Sequence, residues 1–181
     1  MKLLIASDIH GSAYYCRKLL EAYEREEADR LVLLGDLLYH GPRNDLPEGY
    51  APKEVLAMLN ERKEEILCVR GNCDTEVDQM VLQFPILADY GFLYEQGHMI
   101  FLTHGHVFNE QNPPMLKKGD LLLHGHTHVP VCREHETYLC LNPGSVSIPK
   151  EGSAHSYLVY ENGTFLWKEL GGDLYMEYEW V

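Results

Sequence analysis

The chain has 181 residues, 45% of them hydrophobic, and its 28 acidic against 15 basic side chains give a formal charge of −13 and a pI near 5.1. That length suits one domain over positions 1–181 with a substantial core, and the acidity disfavours a nucleic-acid partner held through a broad basic face. The opening MKLLIAS is far too short to span a membrane and lacks a small-residue cleavage site, and five cysteines, odd in number and without CxxC pairing, fit a reducing cytoplasm.

Short runs of Val, Ile and Leu broken by Gly and polar residues read as buried strands. The first, LLIAS, runs into Asp8 and His10. Ser12 then caps a helix in which Tyr15, Leu19, Leu20 and Tyr23 share a face, with Lys18, Glu21, Arg25 and Glu26 largely toward solvent. The strand LVLLG ends at Asp36, and the Gly- and Pro-rich stretch from His40 to Pro52 is an irregular loop leading into a helix that runs to about Lys63. ILCVRG delivers Asn72, after which Asp74 or Thr75 opens a third helix ending before Pro85. From Met99 onward the chain is strand-rich: MIFLT leads to His104, and LLLHG leads to His126 and His128. HSYLVYE and TFLWKEL flank Asn162 and Gly163, a strong hairpin signal, and YMEYEWV alternates as a last strand, so the second half is expected to be mostly antiparallel. The apolar faces of these late strands suit either a sheet core or the interface of a homo-oligomer.

Five strand exits thus deliver polar residues, and strand exits of α/β sheets form a common edge where ligands bind. Two Asp, four His and one Asn offer oxygen and imidazole donors without a thiolate, a set suited to Mn, Fe, Zn, Ni or Co. Seven donors are many for one ion. With Asp36 bridging, two divalent ions would each take four protein ligands and keep open positions. Their four positive charges against two carboxylates would attract an anion, and an ion pair about 3.5 to 4 Å apart can hold a bridging hydroxide and clamp a phosphoryl group for in-line displacement. Phosphate ester hydrolysis follows.

Asp8-Ile9-His10, Gly35-Asp36, Gly71-Asn72-Cys73-Asp74, His104-Gly105-His106 and Gly125-His126-Thr127-His128 resemble the ordered motifs of the calcineurin-like metallophosphoesterases, over Met1 to about Ile148. The short chain, the HGPRN loop and the LNPGSVSIP segment resemble the bacterial YfcE-type phosphodiesterases within that superfamily. The resemblance implies an α/β fold, a four-layer α/β/β/α sandwich of two mixed β-sheets flanked by helices, and a centre of two divalent ions, Mn²⁺ foremost. It assigns Asp8, His10 and His128 to one ion, Asn72, His104 and His126 to the other, and Asp36 to both. It also implies a small phosphodiester substrate.

Other candidates carry two readings. His106 lies two residues past His104 and so could face the same side and contact phosphate, against a solvated loop histidine. Arg43 could fork onto a phosphate or be a surface loop charge, as could His40. His124 reads as a packed strand histidine, while His98, His135 and His155 accompany no motif. Cys73 stands where many relatives carry the His that protonates the leaving oxygen. A neutral thiol is a weak donor, so Cys73 as acid implies a preference for good leaving groups, or a transfer of the duty to His106 or water. Asp74 is read as a helix cap. A phosphomonoesterase on the same site is the alternative enzymatic reading. A binding scaffold, like relatives in eukaryotic sorting complexes, is the alternative from another class; such relatives tend to lose metal-ligand residues.

Overall fold

The computed structural model describes residues 1–180. In chain order it contains β1 Lys2–Ala6, α1 Ala13–Glu26, β2 Arg30–Leu33, α2 Pro52–Glu61, β3 Ile66–Cys68, α3 Glu76–Gln79, β4 Tyr90–Glu95, β5 His98–Thr103, β6 Asp120–Leu123, β7 Val131–Glu134, β8 Tyr138–Asn142, β9 Ser156–Glu161, β10 Thr164–Glu169 and β11 Leu174–Glu179.

The period-two alternation of β1 explains the layering. Leu4 and Ala6 point to a core shared with Leu19 and Ala22 of α1 and Val55 and Leu59 of α2, while Leu3 and Ile5 point to a second core. That second core also receives Leu102, Leu121, Leu123 and Leu141, so it lies between two sheets packed face to face. The first sheet has the order β11-β10-β9-β1-β2-β3 and the second β4-β5-β6-β8-β7. Both are mixed: β1, β2 and β3 run parallel, as do β5, β6 and β8, with antiparallel strands added at the sides. The helical layer covers the outer face of the first sheet. Outside the second sheet lies the irregular segment 104–119, whose Phe108 and Leu116 pack on Phe101, Leu122 and Cys140.

Local chemistry sets the element ends. Ser12 Oγ accepts from the Tyr15 N–H at 3.2 Å, and Glu27, at φ 51°, closes α1 in the left-handed region. Asn162 and Gly163, at φ 49° and 87°, form the expected tight hairpin between β9 and β10. Strands β4 and β7 carry weaker signals, and they and the apolar run of β8 add to the strands read from the sequence. The three parallel neighbours β5, β6 and β8 also qualify the antiparallel expectation, which holds for the pairs on either side of them. Trp167 of β10 is fully buried in the core between the sheets and donates from Nε1 to the Asn142 carbonyl at 2.8 Å, tying the first sheet to the end of β8.

At the outer edge of α1 the Glu26 carboxylate is buried and accepts from Lys168 Nζ at 2.8 and 2.9 Å and from the Tyr157 hydroxyl at 2.7 Å. Burial works against its charged form, but these donors outweigh that effect and hold its pKa below the ordinary value of 4.5. A depressed carboxyl contributes stability that is present above the unfolded-state pKa and lost as pH falls through the folded-state value. Glu26→Gln is therefore expected to lower unfolding free energy by about 1–3 kcal/mol at pH 7, with the deficit shrinking once pH drops below the ordinary value of 4.5. Urea titrations of both proteins at neutral and acidic pH check this.

Candidate metal centre

The parallel strands of each sheet bring their exits to one edge of the sandwich. Asp8 and His10 follow β1, Asp36 follows β2, Asn72 follows β3, His104 follows β5, and His126 and His128 follow β6. Five of these residues sit in the left-handed backbone region, at φ 62° for Asp8, 48° for His10, 58° for Asp36, 67° for His126 and 62° for His128. Such a conformation is costly for residues with a Cβ and persists only where the surroundings enforce it. Here the enforcement is main-chain pairing: the N–H groups of Asp8, His10 and Gly11 donate to the carbonyls of Gly35, Asp36 and Leu37 at 3.1, 2.9 and 2.9 Å. The hydroxyls of Ser145 and Ser147 both donate to the Asp8 carbonyl at 3.0 Å.

All seven predicted donors converge. His10 Nε2 lies 3.5 Å from Asp8 Oδ1 and 3.2 Å from His128 Nε2, and His128 Nε2 lies 3.2 Å from Asp8 Oδ1. On the other side, His104 Nε2 lies 3.1 Å from Asn72 Oδ1 and 3.2 Å from His126 Nδ1. Asp36 Oδ2 stands between the groups, 3.6 Å from His10 Nε2 and 3.4 Å from His104 Nε2.

These residues fit cations better than they fit one another. The Nδ1 atoms of His10, His104 and His128 face the carbonyls of Tyr39, Leu34 and Ile148 at 2.8, 2.7 and 2.6 Å. A carbonyl only accepts, so each Nδ1 carries the proton and each neutral ring turns its Nε2 lone pair into the site. His10 and His128 thus aim lone pairs at each other at 3.2 Å, while the buried Asp8 Oδ1 has no hydrogen-bond partner. Without ions, protons take up part of this imbalance. Burial disfavours a charged His104, yet hydrogen bonding to Asp36 raises its pKa to about 9. For His126, burial and the neighbouring His104 lower it to about 4. Asp8, though buried, is held well below the ordinary carboxylate range by His10 and His128.

The model for the calcineurin-like phosphoesterase superfamily domain matches residues 1–164. The chain belongs to the calcineurin-like phosphoesterases. It is 51% identical to phosphodiesterase YfcE of Escherichia coli K12 over 162 residues, which make up 90% of this chain and 88% of that one. A solved structure of the E. coli YfcE phosphoesterase superposes with a TM-score of 0.97 at 46% identity, covering 100% of both chains. Chaetomium thermophilum Vps29 shares the fold at a TM-score of 0.64 and 14% identity, covering 99% of both chains. Membership of this metallophosphoesterase family implies divalent metal, for which the converging donors provide sites.

A cleft of about 410 Å³ opens over these converging residues, lined by His10, Asp36, Asn72, Cys73, His126 and His128 together with Arg43, Asn44, Thr127 and Lys150. Cys73 is buried with its N–H donating to Asp36 Oδ1 at 2.8 Å, and burial, then Asp36, push its thiol up to about 12. His106 is exposed, its ring 5.4 Å from that of His104 and 6.2 Å from that of His126, and it borders a neighbouring hollow with Asn109 and Glu110. Burial and His104 lower its pKa. His124 is buried and packed, as expected, but lies just past the end of β6. The loop residue His40 packs edge-on against Tyr39 and Tyr50.

Asp74 is not the helix cap expected from the sequence. Thr75 caps α3, and the buried Asp74 carboxylate instead accepts from the N–H groups of Asp36, Leu37 and Gly71 at 2.8, 2.9 and 2.8 Å. It pins the loop carrying Asp36 to the loop carrying Asn72. Burial and the nearby Asp36 raise its pKa, and the three N–H bonds oppose them. The two loops lie so close that a side-chain carbon added at Gly71 would fall 2.1 Å from Asp36 Oδ1. Sequence reasoning missed this role because an acid before a Thr-initiated helix looks like a cap whatever else it holds. Lys150 was missed as well, since nothing local distinguishes it from a surface lysine.

Two outcomes follow for this centre. An ion must displace the proton that His104 holds up to about pH 9, so apparent metal affinity is expected to rise with pH from neutrality toward that value, about tenfold per unit for one released proton. Calorimetric titration with Mn²⁺ in buffers of different ionisation enthalpy measures both affinity and proton release. Asp74→Asn turns an amide donor toward main-chain N–H groups. It is expected to cost about 1–3 kcal/mol in urea unfolding and to weaken metal binding about 10–100-fold.

Proposed function

We propose that this chain is a metal-dependent phosphodiesterase acting on small phosphate diesters, working as one domain over 1–181 in the cytoplasm with two divalent ions, Mn²⁺ foremost. The observation that carries the reading is Asp36 Oδ2 set between His10 Nε2 and His104 Nε2, at the meeting of two donor groups. The relationship to a protein named phosphodiesterase supports diesters as the substrate. The five free cysteines support a reducing compartment, and no helix among the described residues is long and apolar enough to cross a membrane.

In this reading Asp8, His10 and His128 hold one ion, Asn72, His104 and His126 the other, and Asp36 both. When bound, the pair supplies Lewis acidity toward phosphoryl oxygens and lowers the pKa of water. The protein's own part is to fix geometry and charge. The Tyr39, Leu34 and Ile148 carbonyls keep three imidazoles in the donor tautomer, so no reorientation is needed when substrate arrives. Two carboxylates against two divalent ions leave the centre positive, which draws an anionic ester. Arg43 offers a planar fork to an anionic group of the substrate, and His106, whose pKa is lowered by burial and by His104, donates an N–H to a phosphoryl oxygen. Cys73, a buried thiol, is a weak hydrogen-bond donor and a poorer proton source for a leaving alkoxide than an imidazolium. Diesters with good leaving groups are therefore the favoured substrates.

The test is hydrolysis of matched chromogenic diester and monoester substrates by metal-stripped protein before and after Mn²⁺ is restored. Restored metal is expected to bring back diester cleavage in preference to monoester cleavage. Asp36→Asn and His126→Ala are expected to lose at least about 100-fold, the upper range for groups that merely orient a ligand, with unfolding midpoints retained. Full activity of the metal-free variants would overturn the mechanism, and a monoester preference would move the reading to a phosphomonoesterase.

A further inference from the structure

Arg43 and Lys150 both line the cleft over the metal centre, and the only carboxylate among its lining residues is Asp36. The chain as a whole has 28 acids for 15 bases, yet among the described residues neither cation has an ion-pair partner or donates a side-chain hydrogen bond. Both project from backbone that is fixed to one half of the centre. The Lys150 N–H donates to the His128 carbonyl at 3.1 Å, and its own carbonyl accepts from the Ser153 hydroxyl and N–H at 2.7 and 3.0 Å. Arg43 sits in a turn closed by the Asn44 N–H to the Gly41 carbonyl at 3.3 Å and by Asn44 Nδ2 to the His40 carbonyl at 2.8 Å. That turn directly follows Tyr39, whose carbonyl orients His10.

Charge balance gives these two side chains a meaning. Two divalent ions against Asp8 and Asp36 leave two positive charges, and an attacking hydroxide together with a monoanionic diester cancels them. The reaction then has no use for two more cations that stand unpaired in the same cleft. We infer that Lys150, together with Arg43, binds a second anionic group on the substrate: one arm of the diester bears a terminal phosphate. A phosphate monoester is close to dianionic at neutral pH, which matches the two cations, and its oxygens suit both the Arg43 fork and the Lys150 ammonium. Asn44 and Thr127 in the same lining add neutral polar groups. The substrate class is thus a phosphodiester whose alcohol is itself phosphorylated. This inference rests on the phosphodiesterase reading for its orientation in the cleft, and the test below separates the two.

The experiment is calorimetric titration of the Mn²⁺-loaded protein with two non-hydrolysable phosphonate diester analogues, identical except that one carries a terminal phosphate. The wild-type chain is expected to bind the phosphorylated analogue about tenfold more tightly or better, the scale of one charge-assisted contact. The preference is expected to persist at about 0.5 M salt, where long-range attraction is screened. Lys150→Gln is expected to remove most of it and Lys150→Arg to retain it. With matched chromogenic diesters, the Lys150→Gln loss is expected in KM rather than kcat. Equal affinity for the two analogues, or a preference unchanged in Lys150→Gln, overturns the inference. A protein that binds with this preference but cleaves neither diester upholds the anion pocket and overturns the phosphodiesterase reading. One that cleaves both diesters without preference does the reverse.

Discussion

Imidazole nitrogens that aim lone pairs at each other repel, and this molecule holds His10 Nε2 and His128 Nε2 3.2 Å apart. Every other feature of the site can be understood as what is needed to keep them there. The Tyr39 and Ile148 carbonyls fix the tautomers of this pair, so the rings cannot relieve the repulsion by moving the Nδ1 proton to the facing nitrogen. Five donor residues occupy left-handed backbone, each at a cost of roughly 1–2 kcal/mol. The surrounding hydrogen bonds, from the paired loops after β1 and β2 to the two serine hydroxyls on the Asp8 carbonyl, offset that cost. The site is a strained assembly that the fold stabilises in advance of its ligands, which is the arrangement expected where electrostatic preorganisation does the chemistry.

Much of this was legible in the sequence because the same residues carry two signals at once. Asp8, Asp36, Asn72, His104 and His126 end apolar runs, so the strand pattern that predicts the sheets also predicts where polar groups gather. The hairpin at Asn162 and Gly163 was legible for a simpler reason, since that dipeptide adopts left-handed backbone with little penalty. What escaped was tertiary in origin. Strands β4 and β7 contain Gly, Arg or Glu and exist because a neighbouring strand supplies hydrogen-bond partners, whereas β8, YLCLN, is an apolar run that ends in no predicted donor. Asp74 has the local context of a cap, yet the three N–H groups it serves lie in two loops brought together only by the parallel pairing of β2 and β3. Lys150 acquires its position through the return of the chain past His128, which no local pattern encodes.

The likeness to Vps29 marks the boundary between fold and chemistry. At 14% identity the sandwich is retained, because two faces of alternating apolar residues suffice to build it. The chemistry demands far more of individual positions. Gly71 tolerates no side chain against Asp36, and Asp36 must itself reach donors on both sides. A chain can therefore drift widely in its core and keep its shape, whereas a handful of loop positions decide what that shape can do.

The donor residues come from both sheets: Asp8, His10, Asp36 and Asn72 follow strands of the first, and His104, His126 and His128 follow strands of the second. An ion shared by His10 and His128 would join positions 118 residues apart in the chain. Such a bond acts as a removable staple between the two halves of the sandwich, closing a long loop and shifting the folding equilibrium by mass action. The cell's supply of divalent metal would then set how long each molecule survives as well as how fast it works, and a chain made in metal scarcity would be the first to open along its seam and meet a protease.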